Sequence, residues 1–379
     1  MLLYQEKGRY FAPIPEGMED LALDELSGLG AEKMTPVYRG IYFDADKETL
    51  YRANYRSRLL TRILAPLYTF RCHSTRYLYK RSKEIPWTEL LNVDQTFAVF
   101  STVSNSRITH SQYAALVLKD AIVDFFRERD GKRPGIDRTD PDAWISLHIE
   151  RDMATVSFDT SGGSLHRRGY RKETVEAPMQ EMLAAAIVKH TEWDGSRPLY
   201  DPMCGSGTLL SEALMSYCRI PAGLLRKGFG FELLPDFDRK LWDRVKKEAD
   251  QQIRPLPEGI LWGSDLSRKA IGAARKNNHM LPYGDRIHWK TIDFRKIEDL
   301  SQRTIVTNPP YGIRVGKDQD LARLYKELGD FLKQRCNGST AYIFFGNRKL
   351  IPHIGLRPSW KRPLVSGGLD GRLVKLEIY

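Results

Sequence analysis

Asn308-Pro309-Pro310-Tyr311-Gly312 follows the short β-branched run Thr304-Ile305-Val306-Thr307. The run has the composition of a buried strand, and two consecutive prolines then forbid both helix and further ladder pairing. The chain therefore stops abruptly and presents a carboxamide, two carbonyls without their N–H groups, and an aromatic ring. That set suits chemistry on an exocyclic amine of a nucleobase, whose lone pair is delocalised into the ring and is poorly nucleophilic. Acceptors on Asn308 and on the Pro309 carbonyl would hold the two amine hydrogens, favour a pyramidal nitrogen and aim its lone pair at an electrophile. Tyr311 would stack on the extruded base. The same residues also fit an ordinary Pro-Pro turn with a packing tyrosine.

Such a turn needs a sheet to hold it, and the second half of the chain has the pattern of one. Leu199-Tyr200 reads as a strand ending in Asp201, followed by Pro202-Met203-Cys204-Gly205-Ser206-Gly207-Thr208 and an apolar helix. The glycines let backbone N–H groups approach a ligand, and a helix N-terminus there favours a carboxylate. Asp201 can take a ligand's ammonium group. Cys204 has no adjacent base and reads as a small loop residue rather than a nucleophile. A ribose-binding acid is expected after the next strand. Glu232 is nearest to the usual spacing, but it lies between Lys227-Gly228-Phe229-Gly230 and Pro235, a poor strand context. Asp265, which ends Ile260-Leu261-Trp262-Gly263-Ser264, is better placed and leaves Arg219 to Gly259 as an insertion, helical over Arg239 to Asp250. The strand Ile287 to Ile292 ends at Asp293-Phe294, an acid for an adenine amine beside a ring to pack on it. Asp201, Asp265, Asp293 and Asn308 thus all follow short apolar runs, and in an open parallel sheet ligands bind outside those strand ends. Ala341 to Phe345 gives a fifth strand. Arg362 to Val365 and Leu373 to Ile378, around Gly367-Gly368-Leu369-Asp370-Gly371, give an antiparallel hairpin.

The first half differs in charge. Between Tyr51 and Lys83 stand nine Arg or Lys residues and no Asp or Glu: Arg52, Arg56, Arg58, Arg62, Arg71, Arg76, Lys80, Arg81 and Lys83. Arg52/Arg56 and Arg58/Arg62 have the spacing of one helix face, with Tyr51, Tyr55, Tyr68, Tyr77 and Tyr79 between the cations. Unanswered like charge points to a phosphate-contacting surface; the alternative is a solvated basic helix whose tyrosines are core. Around this stretch Arg9 to Pro13 and Tyr38 to Phe43 read as strands and Gly17 to Leu26 as a helix. Phe97 to Val103, Ala143 to Ile149 and Ala154 to Asp159 read as strands and Ser111 to Arg127 as a helix, all in α+β style. Ser161-Gly162-Gly163 and the basic run Leu165 to Lys172, containing Arg167, Arg168 and Arg171, read as a linker that also touches RNA backbone. From Ala177 a new apolar helix begins.

Across the 379 residues the formal charge is +11, which favours a polyanionic partner. No apolar run approaches the ~20 residues that span a bilayer, and the N-terminus lacks the charged-then-apolar order of a signal peptide. A cytoplasmic protein is expected. The cysteines Cys72, Cys204, Cys218 and Cys336 have no Cys-x-x-Cys spacing, so neither a disulfide framework nor a metal site is indicated.

On these motifs the second half resembles the class I S-adenosylmethionine-dependent methyltransferases of the Asn-Pro-Pro-Tyr amino-group type. The first half resembles a THUMP RNA-binding domain preceded by a ferredoxin-like module. The whole is similar to the ribosomal and transfer RNA guanine-N2 methyltransferases, and most of all to the bacterial enzymes acting on 23S ribosomal RNA. The resemblance implies an α/β fold: a Rossmann-like methyltransferase domain at 177–379, with a mostly parallel sheet and a C-terminal antiparallel hairpin. A ferredoxin-like module at 1–55, a THUMP domain at 56–160 and a basic linker at 161–176 precede it. It implies S-adenosylmethionine as cofactor, held by Asp201, Met203, Cys204, Gly205, Gly207, Thr208, Asp265, Leu266, Asp293, Phe294 and Asn308. Asn308, Pro309, Pro310 and Tyr311 would be catalytic. RNA would lie on Arg52, Arg56, Arg58, Arg62, Arg71, Arg76, Lys80, Arg81, Arg167, Arg168 and Arg171. Cys204 in the glycine loop, the long stretch before Asp265 and the lack of the second methyltransferase module that some relatives carry are departures from the family pattern.

Other activities are compatible with the turn. DNA adenine-N6 methylation uses the same motif but needs a target-recognition region, and the chain after Gly312 is consumed by strands. Glutamine-amide methylation of a protein would not call for a basic face. A non-enzymatic RNA-binding protein with a degenerate fold would have lost cofactor binding, yet the motif residues keep their chemical type. No Pro-Cys pair is present for covalent attack on a pyrimidine carbon.

Overall fold

The computed structural model describes residues 1–173, 179–312, 318–366 and 369–379; the expected helix start at Ala177 and the Gly367-Gly368 turn lie outside them. The chain forms two compact units, each discontinuous in sequence. The first contains Met1–Pro13, Glu25–Leu165 and Arg226–Lys247, the second Ile14–Asp24, His166–Leu225 and Glu248–Tyr379. Most of the expected insertion into the catalytic half therefore packs with the first unit.

The first unit is built on an eight-stranded sheet. Its strands are β1 (Arg9–Pro13), β2 (Glu32–Val37), β3 (Gly40–Asp44), β4 (Leu64–Arg71), β5 (Thr96–Ser104), β6 (Gly135–Ile136), β7 (Ala143–Glu150) and β8 (Met153–Asp159), in the order β2-β3-β1-β4-β8-β7-β5-β6. β5 runs parallel to β6 and β7, and the other pairings are antiparallel. Arg151 and Asp152 join β7 to β8 with φ of 50° and 58°, the left-handed pair whose twist matches a tight hairpin. β2 and β4 were not foreseen: β2 exposes most of its side chains, and the basic character of 52–83 masked β4.

Helices α1 (Leu3–Lys7), α2 (Glu19–Leu29), α3 (Lys47–Arg56), α4 (Thr75–Ser82) and α5 (Ser111–Asp130) accompany these strands in the chain. The Asp46 carboxylate caps α3 by accepting from Thr49 N–H at 2.8 Å, and the helix ends where Ser57 turns extended. Arg58 and Arg62 therefore do not continue the helix face of Arg52 and Arg56. Tyr51 and Tyr55, expected among phosphate-contacting cations, are buried instead. Tyr51 stacks on Phe231 at 4.5 Å and Tyr55 meets Trp242 edge-on at 5.3 Å. Phe229 and Phe237 complete this aromatic cluster, which the 226–247 segment and the start of α8 (Arg239–Gln251) supply. Burying several aromatic rings on α3 is the physical reason that the segment belongs to the first unit.

The second unit carries a seven-stranded sheet of β9 (Leu199–Asp201), β10 (Leu261–Asp265), β11 (His288–Thr291), β12 (Thr304–Thr307), β13 (Thr340–Phe345), β14 (Trp360–Ser366) and β15 (Leu369–Glu377). The order is β11-β10-β9-β12-β13-β15-β14. The first five are mutually parallel, and β15 enters antiparallel between β13 and β14. Its helices include α6 (Glu181–Thr191), α7 (Thr208–Tyr217), α9 (Arg268–His279) and α10 (Asp318–Arg335). Ile305, Val306, Ile343, Phe345, Val374 and Leu376 are fully buried, as continuous β-branched and aromatic runs require in a sheet covered on both faces. The expected class, an α/β sheet closed by an antiparallel hairpin, is what forms.

Candidate active site

Successive strands β9, β10 and β11 step to one side of the sheet, whereas β12 and β13 lie on the other side of β9. The strand order reverses at β9, and its carboxyl edge is where an open α/β sheet leaves a crevice. Register places Gly263 opposite Asp201 and Asp265 opposite Thr291, so β10 and β11 end level and β9 ends two residues short of them.

At that edge Asp265 and the glycine loop form one structure. One Asp265 oxygen accepts from Gly205 N–H at 2.9 Å and the other from Ser267 N–H at 2.9 Å. Gly207 opens α7 with φ +82°, and a side chain there would come within 2.8 Å of the Trp289 ring. Strained backbone and lack of space both demand glycine. Thr208, at the first turn of α7, accepts from Arg171 at 3.1 Å. Leu266 projects beside Asp265, 68 % exposed.

Asp201 is buried and accepts from Met203 N–H at 3.1 Å. Burial pushes its carboxyl up to about 7, the Asp265 charge pushes the same way, and the Met203 N–H and Thr307 hydroxyl oppose it. Cys204 is also buried, and desolvation with the two nearby carboxylates raises its thiol well above the usual range. A thiol held neutral in this way is no nucleophile.

Packing redirects two expected residues, Asp293 and Phe294, and keeps the acid already passed over, Glu232, away from the edge. Asp293 is answered within its own turn: Arg295 donates to it from Nε at 2.9 Å and from its backbone N–H at 3.0 Å. Phe294 is buried against Phe331 in the core beneath β12 and offers no face for a ring. Glu232, the nearer acid by spacing, accepts from Phe229 N–H at 3.0 Å and from Arg239 at 3.0 Å, inside the first unit.

On the other side of β9, β12 ends at Thr307 and delivers Asn308. The Asn308 Oδ1 is buried without a hydrogen-bond partner. Burial raises the Tyr311 hydroxyl, and a hydrogen bond with the Asn308 side chain counteracts it. Pro309 is buried and Pro310 and Tyr311 half-buried.

The cations scatter. Arg62 is paired with the fully buried Asp159 and lies over the Phe100 and Trp144 rings at 4.6 and 4.9 Å. Arg52 serves Glu48 and the Leu29 carbonyl, and Arg81 pairs with Glu84. Arg168, expected in a linker, is completely buried against Glu212 at 3.3 Å, and Arg171 holds the Met179 carbonyl at 2.6 Å. Arg52, Arg62, Arg168 and Arg171 are internal partners rather than an RNA face, and Arg81 is held in a surface pair. Arg56 and Arg58 are half-buried; Arg71, Arg76, Lys80 and Arg167 are exposed.

Asn277 was not foreseen. Its Oδ1 accepts from Lys172 and Glu173 N–H at 2.8 and 3.0 Å, and its amide donates to the Glu173 and Ser206 carbonyls at 2.9 and 3.4 Å. One buried side chain thereby ties the glycine loop to the segment preceding α6. The available signal was a consecutive Asn277-Asn278 pair inside a helix, where asparagine is a poor helix former. Among the described residues no cluster of His, Cys, Asp or Glu is arranged to hold a metal ion, and no helix is long and apolar enough to cross a membrane.

Comparison with known proteins matches residues 168–375 to the family described as the RMKL-like methyltransferase domain, 73–159 to the THUMP domain and 9–64 to the RlmL ferredoxin-like domain. A Synechocystis sp. protein, named provisionally as an RNA methyltransferase, is 41 % identical over 98 % of this chain and 97 % of its own length. The ribosomal RNA large subunit methyltransferase K/L of Syntrophotalea carbinolica is 40 % identical over 98 % of this chain and 53 % of its own. The chain thus spans about half the length of the K/L relatives that it matches. The solved structure of SMU.472, described as a methyltransferase complexed with S-adenosylhomocysteine, superposes with a TM-score of 0.82 at 27 % identity, covering 98 % of each chain.

Proposed function

The chain belongs to the RMKL-like methyltransferase family, with S-adenosylmethionine as its cofactor, and we propose that it methylates the N2 amine of a guanine in structured RNA, with 23S ribosomal RNA as substrate. The observation that carries this reading is the buried, unpartnered Oδ1 of Asn308 at the strand end beside the glycine loop. A buried acceptor without a donor is costly, and it is kept where a ligand supplies the donor. An exocyclic amine does so.

The residues fit the cofactor. Each Asp265 oxygen spends one lone pair on a backbone N–H and keeps another for a ribose hydroxyl. The N-terminus of α7 takes a carboxylate, and Leu266 offers exposed apolar surface beside the ribose acid. When bound, S-adenosylmethionine supplies an electrophilic methyl group on its sulfonium.

The chain's own residues do the rest. Asn308 Oδ1 and the Pro309 carbonyl accept the two amine hydrogens and draw the nitrogen toward pyramidal geometry, so its lone pair faces the methyl. Tyr311 holds the base plane. Catalysis is chiefly positioning and acceptor geometry. The methylated nitrogen becomes acidic and loses its proton to water, so no strong base is required.

For RNA, the first unit keeps Arg71, Arg76 and Lys80 exposed. Arg76 and Lys80 share one face of α4, beside the His73–Tyr77 stack at 5.1 Å. Phosphate contacts from such a face position RNA without reading sequence.

The test is nucleoside mass spectrometry after incubating the protein with S-adenosylmethionine and 23S ribosomal RNA, transfer RNA or duplex DNA. N2-methylguanosine in the ribosomal sample is the expected product. N2-methylguanosine confined to transfer RNA would move the substrate, and N6-methyladenine in DNA would overturn the reading.

A further inference from the structure

Tyr311 rests on a glycine. A Cβ added at Gly346 would lie 2.2, 2.3 and 2.5 Å from Cε2, Cδ2 and Cζ of the Tyr311 ring, so the ring covers that α-carbon directly. Gly346 follows β13 and is not among the positive-φ residues, so its backbone is one that any residue adopts. Space for the ring is the remaining reason for glycine at this position.

The arrangement repeats one layer deeper. Tyr311 meets the fully buried Phe344 edge-on, with centroids 6.1 Å apart at 78°. Phe344 in turn covers Gly371 of β15, where a Cβ would lie 2.3 Å from the ring's Cζ. Two glycines, one just after β13 and one on the neighbouring β15, thus set the depth of two contacting rings.

We propose that Gly346 is a positioning residue for methyl transfer, seating the Tyr311 ring at the depth where its free face stacks the target base, with Gly371 setting Phe344 behind it. The proposal rests on the methyl-transfer reading above. Ordinary carbon contact is about 3.5–4.0 Å, so alanine at position 346 forces the ring outward by about 1 Å. Pro309 and Pro310 make the link from Tyr311 to Asn308 stiff, and the displacement therefore reaches the Asn308 acceptor. A misplacement of that size costs about a hundredfold in rate.

The experiment is a double-mutant cycle with Gly346→Ala, Tyr311→Ala and the double variant. It reads kcat and KM for RNA alongside S-adenosylmethionine affinity by calorimetry. Gly346→Ala alone should lower kcat/KM about a hundredfold with cofactor affinity unchanged. In the Tyr311→Ala background, where the ring is gone, the same change should cost less than about twofold. Should Gly346→Ala fail to fold alone, folding of the double variant supports the proposal, since ring and methyl compete for one space. Failure of the double variant to fold overturns it, as do equal losses in both backgrounds or near wild-type turnover of Gly346→Ala. An inactive wild-type protein, or a fully active Asn308→Ala variant, would instead overturn the parent reading.

Discussion

The Asp265 carboxylate accepts the backbone N–H of Gly205 at 2.9 Å, across sixty residues of sequence. The acid that ends β10 thereby also fixes the shape of the glycine loop that follows β9. Asp265→Ala is expected to weaken S-adenosylmethionine binding by about 1–3 kcal/mol for the missing charge-assisted bonds to ribose, with a further loss from the released loop. Calorimetry checks it, and unchanged affinity would remove Asp265 from the ribose role. Glu232→Ala should leave cofactor affinity as it is, because that acid is engaged by Phe229 and Arg239.

Asn308→Ala separates binding from chemistry. The variant should bind cofactor and RNA like the wild type and lose methyl transfer in a single-turnover assay, because the amide acts on the amine's geometry at the transition state. Turnover near wild type would mean that the unpartnered Oδ1 has another purpose.

Asp201 gives the site a pH dependence. Its folded-state carboxyl titrates at about 7, above the ordinary carboxylate range, so the native state holds a proton that the unfolded chain releases. The associated stability is fully present below about pH 4 and declines as pH rises through 7. A cation brought to this edge favours the ionised form, so the ammonium and sulfonium groups of the cofactor should displace that proton. Affinity should rise by about tenfold from pH 6 to a plateau above pH 7. Proton release, measured by calorimetry in buffers of different ionisation enthalpy, should disappear in Asp201→Asn.

The arginines divide by experiment as they do by structure. Arg62→Ala strands the fully buried Asp159 carboxylate, whose pKa burial already raises, and should destabilise the protein by about 3–5 kcal/mol. Denaturant titration reads this. Reversing Arg71, Arg76 and Lys80 to Glu should leave stability near wild type and weaken binding to many RNAs alike. The salt dependence should flatten by roughly one unit for each phosphate that is no longer neutralised. An unchanged salt slope in the folded triple variant would remove α4 from the RNA surface.

The sequence by itself determined the catalytic sheet and its edge. Short apolar runs ending in Asp201, Asp265 and Asn308, with two glycines after the first and two prolines after the last, leave few alternatives to a parallel sheet with its ligands at the carboxyl ends. These signals are local, each set by the steric character of consecutive residues. What only the tertiary structure decided is which polar groups are already answered. Asp293 and Asp265 look alike in sequence, yet Arg295 folds back on the first while the second meets Gly205 and Ser267 N–H. Arg62 and Arg76 belong to one basic run, yet a buried carboxylate nearly a hundred residues away, Asp159, engages the first. Tyr51 and Tyr55 became core because Phe229, Phe231 and Trp242 return from beyond the glycine loop to cover them. A side chain's availability is set by its nearest neighbours in space, and pairings at such separations leave no period or motif in the chain.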